Sequence, residues 1–260
     1  MKIVGVIPAR YQSSRFPGKP LADICGKPMI WWVYQQCKKV EELNEVYVAT
    51  DSSEIEKACI DLDIPVVMTS QEHPTGTDRV GEVAEKIPAD LIVNIQGDEP
   101  LLEPDTIRAA ILPFTRDPNL QISNLMTKIT DPVEVVNCTV PKVITNAQGY
   151  GIFLTRSPVP YPKGSLVFSY YKQVCVYGFR PAALKFFCEY GKKLGKAKVE
   201  AIEDIEILRF IENGYRVQYV EVDSQTVAVD TEKDLEKVRA IVQQRLTEQD
   251  STFRRSQKGT

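Results

Sequence analysis

Apolar and polar positions along this chain follow two rhythms in turn. Lys2–Ile7 is a short, β-branched apolar run that stops at Pro8, which predicts a buried strand feeding a loop. From Pro28 to Val40 the apolar residues Met29, Ile30, Val33 and Cys37 recur at helical spacing, with Pro28 suited to a first turn. The alternation then repeats. Glu45–Thr50 reads as a strand ending at Asp51, Ser53–Leu62 as a helix with a Ser/Asp start, and Pro65–Met68 as another strand. A loop through His73–Arg79 leads into a helix to about Lys86, and the strong strand Leu91–Ile95 ends in QGDEP. Strands alternating with helices imply right-handed βαβ crossovers, hence an α/β fold with a mainly parallel sheet and helices on both faces.

From about Leu120 the rhythm changes. Gln121–Thr130, Lys142–Asn146, Gly151–Thr155 and Gln173–Phe179 are strand-like, separated by stretches rich in Pro, Gly and Tyr. This predicts an antiparallel insertion around 120–200, with YPKGSLVFSYYK (161–172) as a flexible or partner-contacting segment. Helical spacing returns at Ala182–Tyr190 and Ile202–Glu212, the latter stopped by Asn213-Gly214 and followed by the strand Arg216–Val222. A last helix, Thr231–Leu246, follows Asp230, and the polar stretch 247–260 is expected to be a disordered tail. Residues 1–246 are therefore expected to form one domain.

Composition narrows the function classes. With 260 residues, 43% of them hydrophobic, the chain can bury a sizeable core. Lys plus Arg number 32 against 35 Asp plus Glu, a net charge of −3, so no overall basic field recruits nucleic acid or an anionic membrane. Any anion site must be local. No apolar run is long enough to span a bilayer and the N-terminus lacks a signal pattern, so a cytoplasmic protein is expected. Six cysteines are scattered without a CxxC pair, as expected of reduced, mostly buried thiols. The single histidine, His73, argues against a zinc centre and a Ser-His-Asp triad, and reads as a loop residue.

Three groups of residues could carry chemistry. The loop Arg10–Lys19 follows the first strand, where an open α/β sheet presents its binding crevice. Arg10, Arg15 and Lys19, with Ser13, Ser14 and Gly18, could cradle a polyphosphate, although a solvated basic loop is the plain alternative. It is neither a Walker loop nor GxGxxG, which disfavours P-loop kinase and Rossmann dehydrogenase readings. In Gln96-Gly97-Asp98-Glu99-Pro100, Asp98 at a strand's carboxyl end could hold Mg²⁺ against phosphates, with Gly97 admitting a ligand; otherwise Asp98 caps the next helix. Asp230 in VAVDT could supply a second metal carboxylate, although taken alone it reads better as the N-cap of the last helix. Pro74–Arg79 suits contact with a base or ribose, and Arg156, Gln173, Tyr177 and Glu206 could line a pocket for a polar, acidic acceptor.

In combination, PARYQSSRFPGKPL (8–21), GKPMI (26–30), VYVATD (46–51), TGTDR (75–79), NIQGDEP (94–100), TRSPVPYP (155–162) and VDT (229–231) resemble the CMP-Kdo synthetases, the 3-deoxy-manno-octulosonate cytidylyltransferases. The resemblance runs in order over roughly 2–240. It implies a Rossmann-like nucleotidyltransferase sheet with a smaller antiparallel dimerisation extension, and transfer of CMP from CTP to the anomeric hydroxyl of Kdo with release of pyrophosphate. It further implies a nucleotide site of Ala9, Arg10, Ser13, Lys19, Thr75, Gly76, Arg79 and Gln96, with Arg10, Ser13 and Lys19 on the phosphates. Asp98 and Asp230 would hold Mg²⁺, Lys19 and Arg10 would stabilise departing pyrophosphate, and the protein would be a homodimer.

The departures from the family pattern fall on the acceptor side. Gln173 stands where the family has a histidine, Ile207 where it has a glutamine, and Thr75 replaces a serine. Losing polar contacts shifts substrate choice. Kdo leads, with amino-Kdo, another 2-keto-3-deoxy sugar acid or a phosphonate-bearing acid as alternatives. A nucleotidyltransferase for neutral sugar 1-phosphates is disfavoured because the loop has one glycine, Gly18, rather than a glycine-rich run. A non-catalytic CTP-binding protein would not require both acids.

Overall fold

The computed structural model describes residues 1–12, 16–164, 168–224 and 227–256, with side chains described as far as Glu248. Strand β1 (Ile3–Pro8) is buried from Ile3 to Ile7 because it is central in a sheet covered on both faces. A 3₁₀ turn at Lys19–Leu21 and a short hairpin, β2 (Asp23–Ile24) with β3 (Lys27–Pro28), lead into α1 (Met29–Cys37). Next come β4 (Glu45–Thr50), α2 (Ser53–Asp61), β5 (Val66–Met68), α3 (Gly76–Lys86) and β6 (Leu91–Ile95). Ser52 and Thr75 start the two middle helices, their hydroxyls accepting from Ile55 N and Asp78 N.

The second half contains α4 (Pro104–Arg116), β7 (Ile122–Lys128), α5 (Pro132–Val136), β8 (Lys142–Thr145), β9 (Gly151–Thr155), β10 (Tyr171–Phe179) and α6 (Pro181–Leu194). It closes with α7 (Lys198–Glu203), α8 (Leu208–Glu212), β11 (Val217–Glu221) and α9 (Glu232–Ser256). The strand order across the main sheet is β11-β7-β10-β6-β1-β4-β5. β5, β4, β1 and β6 run parallel, β10 is antiparallel to both β6 and β7, and β11 is parallel to β7. The antiparallel insertion is thus divided: β7 and β10 belong to the main sheet, and only the β8–β9 hairpin stands off it, joined to β10 at Lys142 and Lys172.

Three expectations need correction. No element was expected at 104–116, where α4 buries Thr106, Ile107, Ala110, Ile111 and Phe114 along one face. The helix expected over Ile202–Glu212 is broken in two, because Asp204 adopts a left-handed conformation (φ 51°) that ends α7. The last helix does not stop at Leu246 before a disordered tail but continues to Ser256; residues 257–260 lie outside the described ones.

One core layer packs α1, α2 and α4 on one sheet face, and the other packs α3, α6 and α8 on the opposite face. A third cluster decides where the last acid goes. Val229, Leu235, Val238 and Val242 pack on Ile24, Met29 and Leu101, so α9 docks beside the turn that follows β6. β1 lies between β4 and β6, and the chain reverses its direction of growth there. That switch point opens a crevice at the strands' carboxyl ends.

Candidate active site

A cleft of about 460 Å³ occupies that crevice. Its walls come from the ends of β1 (Ala9, Arg10) and β6 (Gln96, Gly97, Asp98), the 3₁₀ turn (Lys19), the start of α3 (Thr75, Gly76, Arg79), the break between α7 and α8 (Asp204, Glu206) and Asp230.

Lys19 is placed by the loop's closure. Gly18 takes a left-handed φ of 70°, its N–H bonds Tyr11 O at 2.8 Å, and the 3₁₀ turn follows at once. Lys19 Nζ then lies 2.7 Å from Asp98 Oδ2 and 3.7 Å from Asp230 Oδ1. Arg10 is exposed at the mouth. Ala9 forms part of the floor, but its N–H donates to Ala49 O at 2.8 Å, so it offers no amide to a ligand. Ser13, with Ser14 and Arg15, lies outside the described residues.

Neither acid is a helix cap. α4 starts at Glu103 and Pro104, away from Asp98. α9 is capped by Thr231, whose Oγ1 accepts from Asp234 N at 3.3 Å while Asp234 Oδ2 accepts from Thr231 N at 3.1 Å. Asp230 itself lines the cleft, with Oδ1 facing Lys19 Nζ. Gly97 lines the cleft, and a Cβ there would sit 3.0 Å from Pro8 O, so glycine also lets the β6 turn approach the end of β1.

The fit to a divalent cation rests on two hard carboxylates brought to one point, where the Lys19 ammonium already marks favourable potential for positive charge. Magnesium typically takes one or two carboxylates plus waters and substrate phosphates. Among the described residues no group of three or more His, Cys, Asp or Glu gathers around a common point.

The residues expected on the nucleoside side are held by protein contacts. Arg79 is buried, with Nη2 3.1 Å from Asp51 Oδ2 and Nη1 bonded to the Thr69 hydroxyl. Thr75 Oγ1 donates to Asp78 Oδ2 at 2.7 Å. Glu206 Oε2 accepts from Thr77 N at 3.0 Å, placing a carboxylate on the positive end of α3. Burial raises the Glu206 carboxyl's pKa and Asp78 adds to the rise, while the hydrogen bonds from Thr77 and Gly76 oppose it. His73 borders the cleft and pairs with Glu82.

The profile of a family described as cytidylyltransferase matches residues 4–250. The chain belongs to that cytidylyltransferase family. The 3-deoxy-manno-octulosonate cytidylyltransferase of Geobacter sulfurreducens is 41% identical over 251 residues, covering 92% of this chain and 98% of the relative. Its namesake in Fusobacterium nucleatum is 40% identical over 239 residues, covering 92% and 96%. A solved structure of CMP:2-keto-3-deoxy-manno-octonic acid synthetase complexed with CTP matches with a TM-score of 0.88 at 38% identity, over 94% of this chain and 100% of that one.

Within this cytidylyltransferase the expected acceptor residues separate. Glu206 lines the cleft. Tyr177 is not among the cleft residues, but Glu206 acts on it: burial, reinforced by the Cys175 thiol and the Glu206 carboxyl, pushes the phenol well above its ordinary pKa and keeps it neutral. Gln173 is not among the cleft residues; its amide donates to Asn124 Oδ1 at 2.8 Å, inside the β7–β10 ladder. Arg156 is also outside, bonding the carbonyls of Glu203 (2.6 Å), Cys138 (3.1 Å), Thr139 (3.3 Å) and Asp204 (3.2 Å). It braces the wall that carries Asp204. Sequence reasoning missed Lys196 and Asp204, an ion pair on the rim, for which the sequence carries no local signal. It also missed Asp51 as the anchor of Arg79, although Asp51 ends a strand as Asp98 does. No helix among the described residues is long and apolar enough to cross a membrane.

Proposed function

We propose that this protein transfers CMP from CTP to the anomeric hydroxyl of 3-deoxy-manno-octulosonate (Kdo), releasing pyrophosphate. The observation that carries the reading is the convergence of Lys19, Asp98 and Asp230 in a cleft that Thr75, Gly76 and Arg79 also line. A triphosphate fits that polarity, with phosphates toward Arg10 and Lys19 and the nucleoside toward the start of α3 and Gln96. The near-40% identity to proteins named for this activity supports the acceptor.

Asp98 and Asp230 would hold magnesium, which would neutralise charge on the phosphates as a Lewis acid. Lys19, held between the two acids, is preorganised to stabilise negative charge developing on the departing pyrophosphate, and Arg10 adds a two-pronged contact at the mouth. Glu206 accepts from acceptor hydroxyls while anchored on Thr77, and the neutral Tyr177 phenol, bonded to the Cys175 side chain, stands near it. Asp51 and Thr69 hold the Arg79 guanidinium in one orientation, so it requires little reorganisation when the nucleotide arrives.

Purified protein with CTP, Mg²⁺ and Kdo should release pyrophosphate only when the acceptor is present. No pyrophosphate above a no-acceptor control, across Kdo, amino-Kdo, other 2-keto-3-deoxy sugar acids and phosphonates, would refute the reading.

A further inference from the structure

The buried cation Arg209 lies outside the cleft, yet it reaches the cleft's nucleoside wall through a short chain of contacts. Its side chain is 1% exposed, and its fork grips Glu200 of α7 at 2.7 and 2.6 Å. Nη1 donates to Phe187 O of α6 at 3.0 Å and stands 3.9 Å from Asp78 Oδ1 in the first turn of α3. The other Asp78 oxygen accepts the Thr75 hydroxyl, and Thr75 in turn accepts the Asp78 N–H at 3.1 Å. Gly191 makes the approach possible: a Cβ there would lie 2.7 Å from Arg209 Nη1 and 3.5 Å from Asp78 Oδ1.

We infer that Arg209 is a positioning residue for the nucleotide: through Asp78 it fixes Thr75 and the start of α3. A carboxylate only accepts, so the Thr75 proton is committed to Asp78 and the hydroxyl's remaining lone pair is the group left for a ligand. Glu206, three residues before Arg209, holds Thr77 N–H, so one segment grips the start of α3 at two points. Guanidinium is needed because three acceptors on α3, α6 and α7 lie in different directions. An ammonium carries the charge without the planar fork.

The inference rests on the proposed CTP site, and its test separates the two. CTP binding with Mg²⁺ is measured by calorimetry for wild type, Arg209→Lys, Thr75→Val and the double variant, alongside KM for CTP and for the acceptor. Arg209→Lys should weaken CTP binding by about tenfold while moving acceptor KM no more than about twofold, and the double variant should bind no worse than the weaker single. CTP affinity unchanged in Arg209→Lys, or losses that multiply in the double variant, would overturn the positioning role. If Arg209→Lys does not fold, Asp78→Asn takes its place in the cycle, with the same two outcomes. Failure of the wild type itself to bind CTP would instead remove the CTP site.

Discussion

The N–H of Val229 donates to the carbonyl oxygen of Asp98 at 2.9 Å, stitching the turn after β6 to the segment that precedes α9. Asp98 and Asp230 are 132 positions apart by their residue numbers, yet this backbone bond and the packing of α9 on Ile24, Met29 and Leu101 fix them on either side of Lys19. Asp98→Asn should therefore lower kcat by about 10³-fold, the scale for losing one preorganised electrostatic group, while leaving thermal unfolding nearly unchanged. Steady-state kinetics beside a melting curve check this; retained turnover would remove Asp98 from the chemistry.

Asp230 is more exposed than Asp98 and farther from Lys19. Chelation should abolish turnover and added Mg²⁺ restore it, with Asp230→Asn needing at least about tenfold more Mg²⁺ for half-maximal rate. A magnesium titration identical for the variant and the wild type would contradict that assignment.

Glu206 has two tasks that one substitution separates. In Glu206→Gln the amide oxygen can still accept from Thr77 N–H, so the start of α3 stays in place. KM for the acceptor should rise by about tenfold or more, with CTP affinity nearly constant. An equal loss for both substrates would mean that the carboxylate's charge, not its anchoring bond, orders the nucleotide side.

At Gly97 the constraint is steric. A methyl group would meet Pro8 O at 3.0 Å and Ile7 Cγ2 at 3.4 Å, a backbone atom and a packed core side chain. Gly97→Ala should cost about 1–3 kcal/mol by denaturant unfolding, the range for overpacking, and should lower kcat because the displaced turn carries Asp98. Unchanged stability would show that the β1 and β6 ends can part without strain.

Glu82 gives the pH dependence. Burial raises its pKa, but Lys86, the Ser70 N–H and His73 outweigh that and hold it at about 2, below the ordinary 4.5. A depressed carboxyl stabilises the fold fully above the unfolded value and loses that contribution as pH falls through the folded one. Wild type should thus lose stability between about pH 4.5 and pH 2 more steeply than Glu82→Gln. Parallel curves of melting temperature against pH would contradict this.

Much of the frame was legible in the apolar rhythm. β1, β4, β5 and β6 follow β-branched runs, and Ser52 and Thr75 mark helix starts by side-chain chemistry that acts within one turn. What was not legible depends on distant partners. The left-handed break at Asp204 comes two residues before Glu206, whose carboxylate bonds Thr77 N across the fold, a contact that no local propensity encodes. Asp230 resembled a helix cap because Asp is a good cap, and only the reciprocal Thr231–Asp234 bonds show the task assigned to its neighbour. Gln173 and Arg156 are polar, and the fold engages both: Gln173 bonds Asn124 and Arg156 bonds four backbone carbonyls, contacts to distant partners that no local pattern announces.

The most direct test of the account is phosphorus NMR of the complete reaction with CTP, Mg²⁺ and Kdo. The account predicts one phosphodiester signal from a CMP-sugar growing in step with free pyrophosphate, dependent on acceptor and absent with Asp98→Asn. Orthophosphate and CDP as the products, or turnover indifferent to any acidic sugar, would contradict it.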